Sequence, residues 1–339
     1  MQNRQIVFTR VNTAELLDVA YQNPSANEVV VKTAFSTVSS GTERANITGN
    51  PNVNAGGQAS VAFPRQSGYS SAGTVTAVGT DVERVKIGDR VVVYWGKHAA
   101  YNTVPESHVV KIESDAISLQ EAALSFIAAF SLAAIRKTRL EIGESAVVMG
   151  LGLLGQLAVR LLRAAGAVPV IGVDFVADRR QEALRGGADC VLDPAEKNFA
   201  ALVKEKTGGG ANTAIEVTGA GGGLDSVLDC MARFGRVALL GCTRDKNFTI
   251  DYYKKVHYPG ITLVGAHTMA RPEHESYPGY FTHDDDIRAV LRLCESRRID
   301  LKDMLRETHA PQDCQEVYMR LVHDKEFPVV VQFDWRDCN

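Results

Sequence analysis

The pattern of hydrophobic and polar positions changes character near Leu119. Before this residue, short apolar runs alternate with turn-forming residues, which is typical of the strands of a small β-barrel or sandwich. The predicted strands lie within residues 28–33, 71–79, 86–94 and 99–104. The glycine- and asparagine-rich segment 48–58 is predicted to be a mobile loop.

After Leu119 the apolar positions follow a helical spacing over residues 121–135 and then alternate between strand and helix patterns. Strands are predicted at residues 146–150, 168–174, 190–192, 213–217, 236–241, 261–266 and 328–333. Helices are predicted at residues 154–165, 178–185, 199–207, 224–231, 285–295 and 313–323. Such alternation predicts an α/β fold, in which a parallel sheet carries helices on both faces.

A glycine-rich turn joins the first of these strands to the first helix. Its sequence, from Gly150 to Gly155, fits the pattern G-x-G-x-x-G. In a dinucleotide-binding turn, Gly150 permits the tight bend, Gly152 lets a pyrophosphate approach the backbone, and Gly155 lets the helix pack on the strand. Free N–H groups at the helix start then attract the pyrophosphate. Because strand, turn, helix and second strand come in the required order, the sequence predicts dinucleotide binding.

The second strand ends on an acidic residue, Asp174, close to the spacing of about 20 residues that this motif requires. A carboxylate there accepts hydrogen bonds from a ribose diol and repels a 2′-phosphate, so NAD is favoured over NADP. Arg179 and Arg180 follow, and either arginine is able to meet a phosphate, which weakens this preference.

Composition narrows the class of protein. With 339 residues the chain is expected to form two domains. The net charge is −3 without a basic block, so neither nucleic acid nor an anionic membrane is an expected partner. No apolar run has the length of a membrane span and the N-terminus has no signal-peptide pattern, so a cytoplasmic protein is expected. The six cysteines form no C-x-x-C pair and are interpreted as reduced thiols.

These motifs together resemble those of the medium-chain dehydrogenase/reductase superfamily, the zinc alcohol dehydrogenase-like proteins. The resemblance rests on the GDRV sequence at Gly88, the dinucleotide-binding stretch, the EVTG sequence at Glu216 and the GRV sequence at Gly235. It implies a GroES-like catalytic domain (residues 1–120 and 268–339) interrupted by a Rossmann domain (residues 121–267), with an active site in the cleft between them. It also implies a homodimer through the edge strand 261–266, and further cofactor contacts from Leu153, Leu154, Thr218, Gly241 and Gly265.

The sequence departs from this family where zinc ligands are expected. Ser40 stands at the position of a ligand cysteine, Tyr69 and Ser70 replace a His-Glu pair, and a further ligand position falls near Phe126. The four-cysteine lobe of the structural zinc is missing as well. Hydroxyl groups are poor zinc ligands beside thiolate, imidazole or carboxylate. The chain is therefore expected to bind no zinc, and no other metal site is predicted.

Without zinc, hydrogen-bond donors and a general acid/base must handle the hydroxyl proton of an alcohol substrate. Tyr69 is the first candidate, with filling of the vacated metal space as the alternative. Ser40 and Thr42 are candidates for proton relay or substrate binding, or else they cap a local turn. Glu43 either acts as a base, pairs with Arg44, or is a solvated surface carboxylate.

Substrate contacts are predicted from two further positions. Trp95 falls where the family lines its substrate pocket, with core packing as the alternative, and His267 follows the strand that approaches the nicotinamide in the family. Lys97 and His98 are interpreted as part of an exposed loop, with polar groups of the substrate pocket as the alternative. The polar and aromatic segment 269–286 is either a substrate-binding loop or a plain surface connection, and its spacing matches no metal site.

The leading prediction is an NAD-dependent, zinc-independent dehydrogenase for a small secondary alcohol such as a sugar, polyol or cyclitol. One alternative is a quinone or enoyl reductase, which NADPH preference would favour. The other is a nucleotide-binding redox sensor that has lost catalysis.

Overall fold

The computed structural model describes residues 2–50, 62–243 and 247–338, so most of the predicted loop 48–58 lies outside the described residues. The chain forms two compact units. The first comprises Met1–Ile127, Ile287–Arg297 and Leu301–Asn339, and the second comprises Ala128–Asp286 and Arg298–Asp300. Among the described residues, no helix is both long enough and apolar enough to cross a membrane.

Two sheets form the first unit. Strands β1 (Gln2–Arg10), β2 (Thr13–Ala20) and β4 (Arg65–Gln66) make the smaller sheet, in the order β2-β1-β4. The larger sheet has the order β15-β16-β3-β5-β6-β8, and β7 also pairs with β3. Its strands are β3 (Glu28–Thr37), β5 (Ser70–Val78), β6 (Arg90–Tyr94), β7 (Tyr101–Pro105), β8 (Val109–Lys111), β15 (Glu307–His309) and β16 (Val331–Asp334).

Helices α1 (Ser40–Ile47), α2 (Leu119–Ala122) and α9 (Cys314–His323) belong to the same unit. Phe8, Tyr318, Phe333 and Trp335 are fully buried in one hydrophobic cluster, so the C-terminal segment completes the core around β1. The sequence predicted neither β1 and β2 nor α1, and it treated α2 and α3 (Ser125–Lys137) as one helix.

The second unit is built on a six-stranded parallel sheet with the order β11-β10-β9-β12-β13-β14. Its strands are β9 (Ala146–Met149), β10 (Val170–Val173), β11 (Cys190–Leu192), β12 (Ala211–Glu216), β13 (Met231–Leu239) and β14 (Thr262–Gly265). The connections between these strands carry α4 (Leu153–Ala164), α5 (Ala177–Arg185), α6 (Phe199–Lys206) and α7 (Gly221–Asp229). Helix α8 (His283–Glu295) begins near the end of the segment Ala128–Asp286 and continues into the first unit. The predicted parallel sheet is confirmed, and its order is that of a doubly wound dinucleotide-binding fold, in which ligands bind beyond the carboxyl ends of the central strands.

Candidate active site

The turn after β9 has the geometry that a bound pyrophosphate requires. Gly150 has φ of +97°, a conformation that favours glycine. A Cβ atom on Gly155 would lie 1.9 Å from the Gly150 carbonyl oxygen, so Gly155 is required by the protein's own packing. A Cβ atom on Gly152, by contrast, would meet no atom of the described residues within 4 Å. Gly152 is also the N-cap of α4, and glycine has no side chain that could cap the helix. The space beside it therefore suits an anionic ligand that binds the N–H groups at the start of α4.

Asp174 follows β10 and is fixed beside this turn. Its Oδ2 atom accepts a hydrogen bond of 2.8 Å from the Leu151 N–H, and its Oδ1 atom accepts one of 2.8 Å from the Val176 N–H. Each carboxylate oxygen has a second lone pair that remains able to accept from a ribose hydroxyl. The two neighbouring arginines differ in their surroundings. Arg180 donates to the Asp174 carbonyl and to Asp193, whereas the Arg179 guanidinium lies 4.0 Å from the Asp174 carboxylate.

The loops after β12 and β13 lie near the same turn. The Thr218 methyl group would be 3.0 Å from a Cβ atom placed on Gly150, and a Cβ atom on Gly241 would be 2.3 Å from the Gly219 nitrogen. Glu216 holds this region together, since its carboxylate accepts from the Thr218 N–H at 2.8 Å and from the Gly219 N–H at 3.2 Å. Burial raises the pKa of Glu216, although these donors lower it. Gly265 ends β14, and its carbonyl accepts from Lys137 at 3.2 Å.

In the first unit, Tyr69 lies at one end of a cluster of aromatic rings. Its ring centroid is 5.7 Å from that of Trp95 and 5.9 Å from that of Phe126, and the Trp95 and Phe126 rings meet edge to face at 5.0 Å. Phe126 is fully buried, so an apolar ring occupies the region of the third predicted ligand position. Tyr69 and Trp95 are both partly exposed at this site.

The Tyr69 hydroxyl contacts the hydroxyl of Ser39, a residue that the sequence did not single out. Ser40, the residue that replaces the ligand cysteine, is the first residue of α1 and is partly exposed, as is Thr42. Ser70 is buried, and its hydroxyl donates to the Ala123 carbonyl at 2.7 Å. The positions at which zinc ligands were predicted therefore present two serine hydroxyls, a phenol and a phenyl ring.

Glu43 is buried, with 1% of its surface exposed, so the surface-carboxylate interpretation is wrong. Its Oε2 atom accepts from the Tyr318 hydroxyl at 2.6 Å and lies 3.1 Å from His98 Nε2. Its Oε1 atom accepts from the Ser39 N–H at 2.9 Å. The suggested pair with Arg44 is wrong as well, because Arg44 is exposed and donates to the Leu321 carbonyl at 2.7 Å.

His98 is fully buried, so its assignment to an exposed loop is wrong. Its Nδ1 atom lies 2.7 Å from the Ser36 hydroxyl, which also accepts from the Trp335 indole N–H at 2.8 Å. Burial and the neighbouring Glu43 carboxylate hold the pKa of Tyr318 well above its usual value. Sequence reasoning missed Ser36, Ser39, Tyr318 and Trp335, and the local signal for two of them was that Ser36 and Ser39 closely precede Ser40.

The other predicted substrate contacts lie in the second unit. His267 is exposed after β14, and its Nδ1 atom accepts from the Met269 N–H at 3.2 Å. Segment 269–286 is anchored at its end, where the fully buried Asp286 pairs with Arg136 at 2.6 Å and with Arg271 at 3.0 Å. Burial raises the pKa of the Asp286 carboxyl to about 6, although the two arginines lower it.

The donors at the predicted zinc-ligand positions do not suit a zinc ion. Zinc in proteins takes thiolate, imidazole and carboxylate ligands. His98 and Glu43 are the imidazole and carboxylate of this region, and both are already hydrogen-bonded to each other and to other side chains. In the described parts of the chain, no group of three or more histidine, cysteine, aspartate or glutamate side chains is placed to hold a metal ion.

Comparison with known proteins relates both units to one class. A family model described as "Alcohol dehydrogenase GroES-like domain" matches residues 25–114, and one described as "Zinc-binding dehydrogenase" matches residues 154–282. The (R,R)-butanediol dehydrogenase of Bacillus subtilis (strain 168) is 34% identical over 46% of this chain, which spans about half (52%) of that protein. The D-guloside 3-dehydrogenase of Escherichia coli (strain K12) is 27% identical over 81% of this chain and 83% of that protein.

Solved structures share the fold over nearly the whole chain. The crystal structure of 2R,3R-butanediol dehydrogenase from Bacillus subtilis matches with a TM-score of 0.83 and 22% identity, and the match covers 98% of this chain and 99% of that one.

The fold and the dinucleotide turn, together with these relatives, define an oxidoreductase of the alcohol dehydrogenase type. The chain belongs to the medium-chain dehydrogenase/reductase superfamily. This confirms the predicted family and the predicted fold class of a GroES-like domain with a doubly wound parallel sheet.

Proposed function

We propose that this protein is an NAD-dependent dehydrogenase that interconverts a secondary alcohol and its ketone without a catalytic zinc ion. The observation that carries the proposal is the substitution at the zinc positions. A phenol paired with a serine hydroxyl stands where ligands are expected, while the dinucleotide turn and Asp174 keep the geometry of a cofactor site.

The second unit would hold the cofactor. Gly150, Gly152, Leu153, Leu154 and Gly155 form the pyrophosphate turn, and Asp174 accepts from the ribose diol. Phe175 follows Asp174 and is 72% exposed, which gives the adenine ring an apolar surface. We assign Arg179, Thr218, Gly241 and Gly265 to the rest of the cofactor site. When bound, the nicotinamide ring supplies or accepts the hydride.

Tyr69 would handle the proton. In the direction of reduction, a hydride adds to the carbonyl carbon, the C=O π electron pair moves to the oxygen, and that oxygen takes the proton of the Tyr69 phenol. Water then returns a proton to Tyr69. Alcohol oxidation is the reverse, in which the phenolate takes the hydroxyl proton while the C–H bond breaks with its electron pair.

The substrate would be a small polyhydroxylated compound such as a sugar, polyol or cyclitol. The relatives named for butanediol and a guloside favour alcohols that carry more than one oxygen. Trp95 supplies an aromatic face beside Tyr69 on which a sugar ring can pack. We propose Ser40, Thr42 and His267 as polar contacts for the substrate hydroxyls.

We further infer a cytoplasmic homodimer. All six cysteines are free thiols, which is typical of proteins in a reducing compartment. Among the described residues β14 pairs with a neighbour on one side only, so its other edge is able to pair with a second copy of the chain.

The test is NADH formation, followed by absorbance, across sugars, polyols and cyclitols, with and without a strong chelator. Turnover that survives the chelator supports the proposal, and Tyr69→Phe is then expected to lower kcat at least about 100-fold. Turnover that the chelator abolishes would refute zinc independence. NADPH-dependent reduction of quinones or enones alone would favour the reductase, and NADH binding without turnover would favour a sensor.

A further inference from the structure

The hydroxyl that contacts Tyr69 belongs to the N-cap residue of α1. N-cap serines ordinarily use their hydroxyl oxygen to accept a hydrogen bond from the first helical turn. Ser39 makes no such side-chain bond. Its hydroxyl instead contacts the Tyr69 hydroxyl, and only 9% of the residue's surface is exposed.

Glu43 and Ser39 are joined by two hydrogen bonds at the start of α1. Its Oε1 atom accepts the Ser39 backbone N–H at 2.9 Å, while the Glu43 N–H donates to the Ser39 carbonyl at 2.8 Å. These two bonds fix the backbone of Ser39 without its side chain. The Ser39 hydroxyl is therefore available to Tyr69, and its position depends on where the carboxylate is held.

Two buried side chains hold that carboxylate. Tyr318 donates to its Oε2 atom at 2.6 Å, and His98 Nε2 lies 3.1 Å from the same atom. The indole N–H of Trp335 can only donate, so the Ser36 oxygen accepts it. The Ser36 hydroxyl then donates to His98 Nδ1, and the Nε2–H of His98 donates to Glu43. Every side chain in this series thereby has a hydrogen-bond partner, as buried polar groups require.

We propose that Ser39, rather than Ser40, is the hydroxyl that positions the Tyr69 phenol, and that Glu43 and His98 are positioning residues that hold Ser39 in place. This deepens the proposed function, on which its kinetic part rests. Glu43 is then not the base, because three donors already occupy its carboxylate in a site closed to solvent. These residues link the core of the first unit to the phenol through hydrogen bonds and through Ser39 itself, whose backbone N–H contacts Glu43 and whose hydroxyl contacts Tyr69.

The first test is kinetic and uses the full chain with a substrate that it turns over. Ser39→Ala is expected to lower kcat about tenfold and to leave KM within about twofold, since it removes one hydrogen bond that matters in the proton transfer. Ser71→Ala is the matched control, because the buried Ser71 hydroxyl has no hydrogen-bond partner among the residues that the structure describes and lies outside this series of contacts. If Ser40→Ala lowers kcat as much as Ser39→Ala does, or more, the assignment is overturned.

The second test needs no turnover, so it stands if the proposed function fails. Protein carrying 13C at tyrosine Cζ gives a Tyr69 NMR signal that is identified by its loss in Tyr69→Phe. Ser39→Ala and Glu43→Gln are expected to shift this signal, and Ser71→Ala to leave it in place. An unchanged Tyr69 signal in Ser39→Ala would refute the contact.

Folding and the tautomer of His98 are checked separately. NADH binding and thermal unfolding show which variants are folded, and His98→Gln replaces Glu43→Gln if the latter does not fold. In 15N-histidine spectra of the unaltered protein, His98 is expected as the Nε2–H tautomer. A protonated Nδ1 in that spectrum would overturn the hydrogen-bond direction from Ser36 to Glu43.

Discussion

Single residues decide the chemistry that is possible at the positions where zinc ligands were predicted. Tyr69 and Ser40 supply hydroxyl groups where imidazole and thiolate are expected, and Phe126 supplies only a ring. These exchanges are predictable from the sequence because each falls within a short local motif. Their partners are not, since Tyr69 is 30 residues from Ser39 and Glu43 is 275 residues from Tyr318. No local pattern indicates such contacts, which form only when the core of the first unit assembles.

Asp174→Ala is expected to weaken the preference for NAD over NADP. The substitution removes the acceptor of the ribose diol and the negative charge that repels a 2′-phosphate, while Arg179 remains near the same place. The Kd for NADH should rise about tenfold, which corresponds to ~1.4 kcal/mol, and the Kd for NADPH should stay the same or fall. Both constants are measurable from the fluorescence of the reduced cofactors.

Asp174→Asn serves as the matched variant for that substitution. Its amide oxygen still accepts the Leu151 N–H, so the turn keeps one of its two supports while the charge is lost. If repulsion is the cause, the ratio of the Kd for NADPH to the Kd for NADH should fall in both variants. An unchanged ratio of the two dissociation constants in both variants would show that Asp174 does not select the cofactor.

At the level of secondary-structure elements, prediction succeeded where the apolar pattern is long and regular. The strands and helices from β9 to α7 were predicted to within a few residues, because buried parallel strands carry continuous apolar runs. Helix α1 was missed because its sequence, SGTERANI, contains glycine and has no helical apolar repeat. Strand β1 was missed because its buried residues form one short run between polar ends.

Two glycines of the same turn are expected to respond in opposite ways to alanine. Gly152→Ala places a methyl group in space that holds no atom of the described part of the chain, so the free energy of unfolding should change by less than about 1 kcal/mol. The same methyl group lies where the pyrophosphate is proposed to bind, and the Kd for NADH should rise at least about tenfold. Denaturant unfolding and cofactor titration measure the two quantities.

Gly155→Ala is the control at the other end of the turn. Its Cβ atom would lie 1.9 Å from the Gly150 carbonyl oxygen, so α4 must move away from β9. Such overpacking costs about 1–3 kcal/mol or more. A loss of stability in Gly152→Ala as large as that in Gly155→Ala, or an unchanged Kd for NADH in Gly152→Ala, would argue against a ligand at this turn.

The whole chain is organised as one unit interrupted by another. β16 pairs antiparallel with β3, so the C-terminal segment returns to the sheet that the N-terminal segment begins. The sequence predicted two domains from length and from the change of pattern, but their order came from the resemblance to a family. The predicted boundaries at residues 120 and 267 stay a prediction, and so do the catalytic and cofactor residues.

Thr262→Lys tests whether two copies of the chain associate through the edge of the six-stranded sheet. Thr262 is exposed on β14, and a symmetric pairing of two such edges would bring the new charges together. We expect sedimentation to show a dimer for the unaltered protein and a monomer for Thr262→Lys, with NADH binding retained. Thr308→Lys is the control, because Thr308 is exposed on β15, the edge strand of the other large sheet. If the dimer persists in Thr262→Lys but is lost in Thr308→Lys, the interface lies at β15 of the first unit and not at β14.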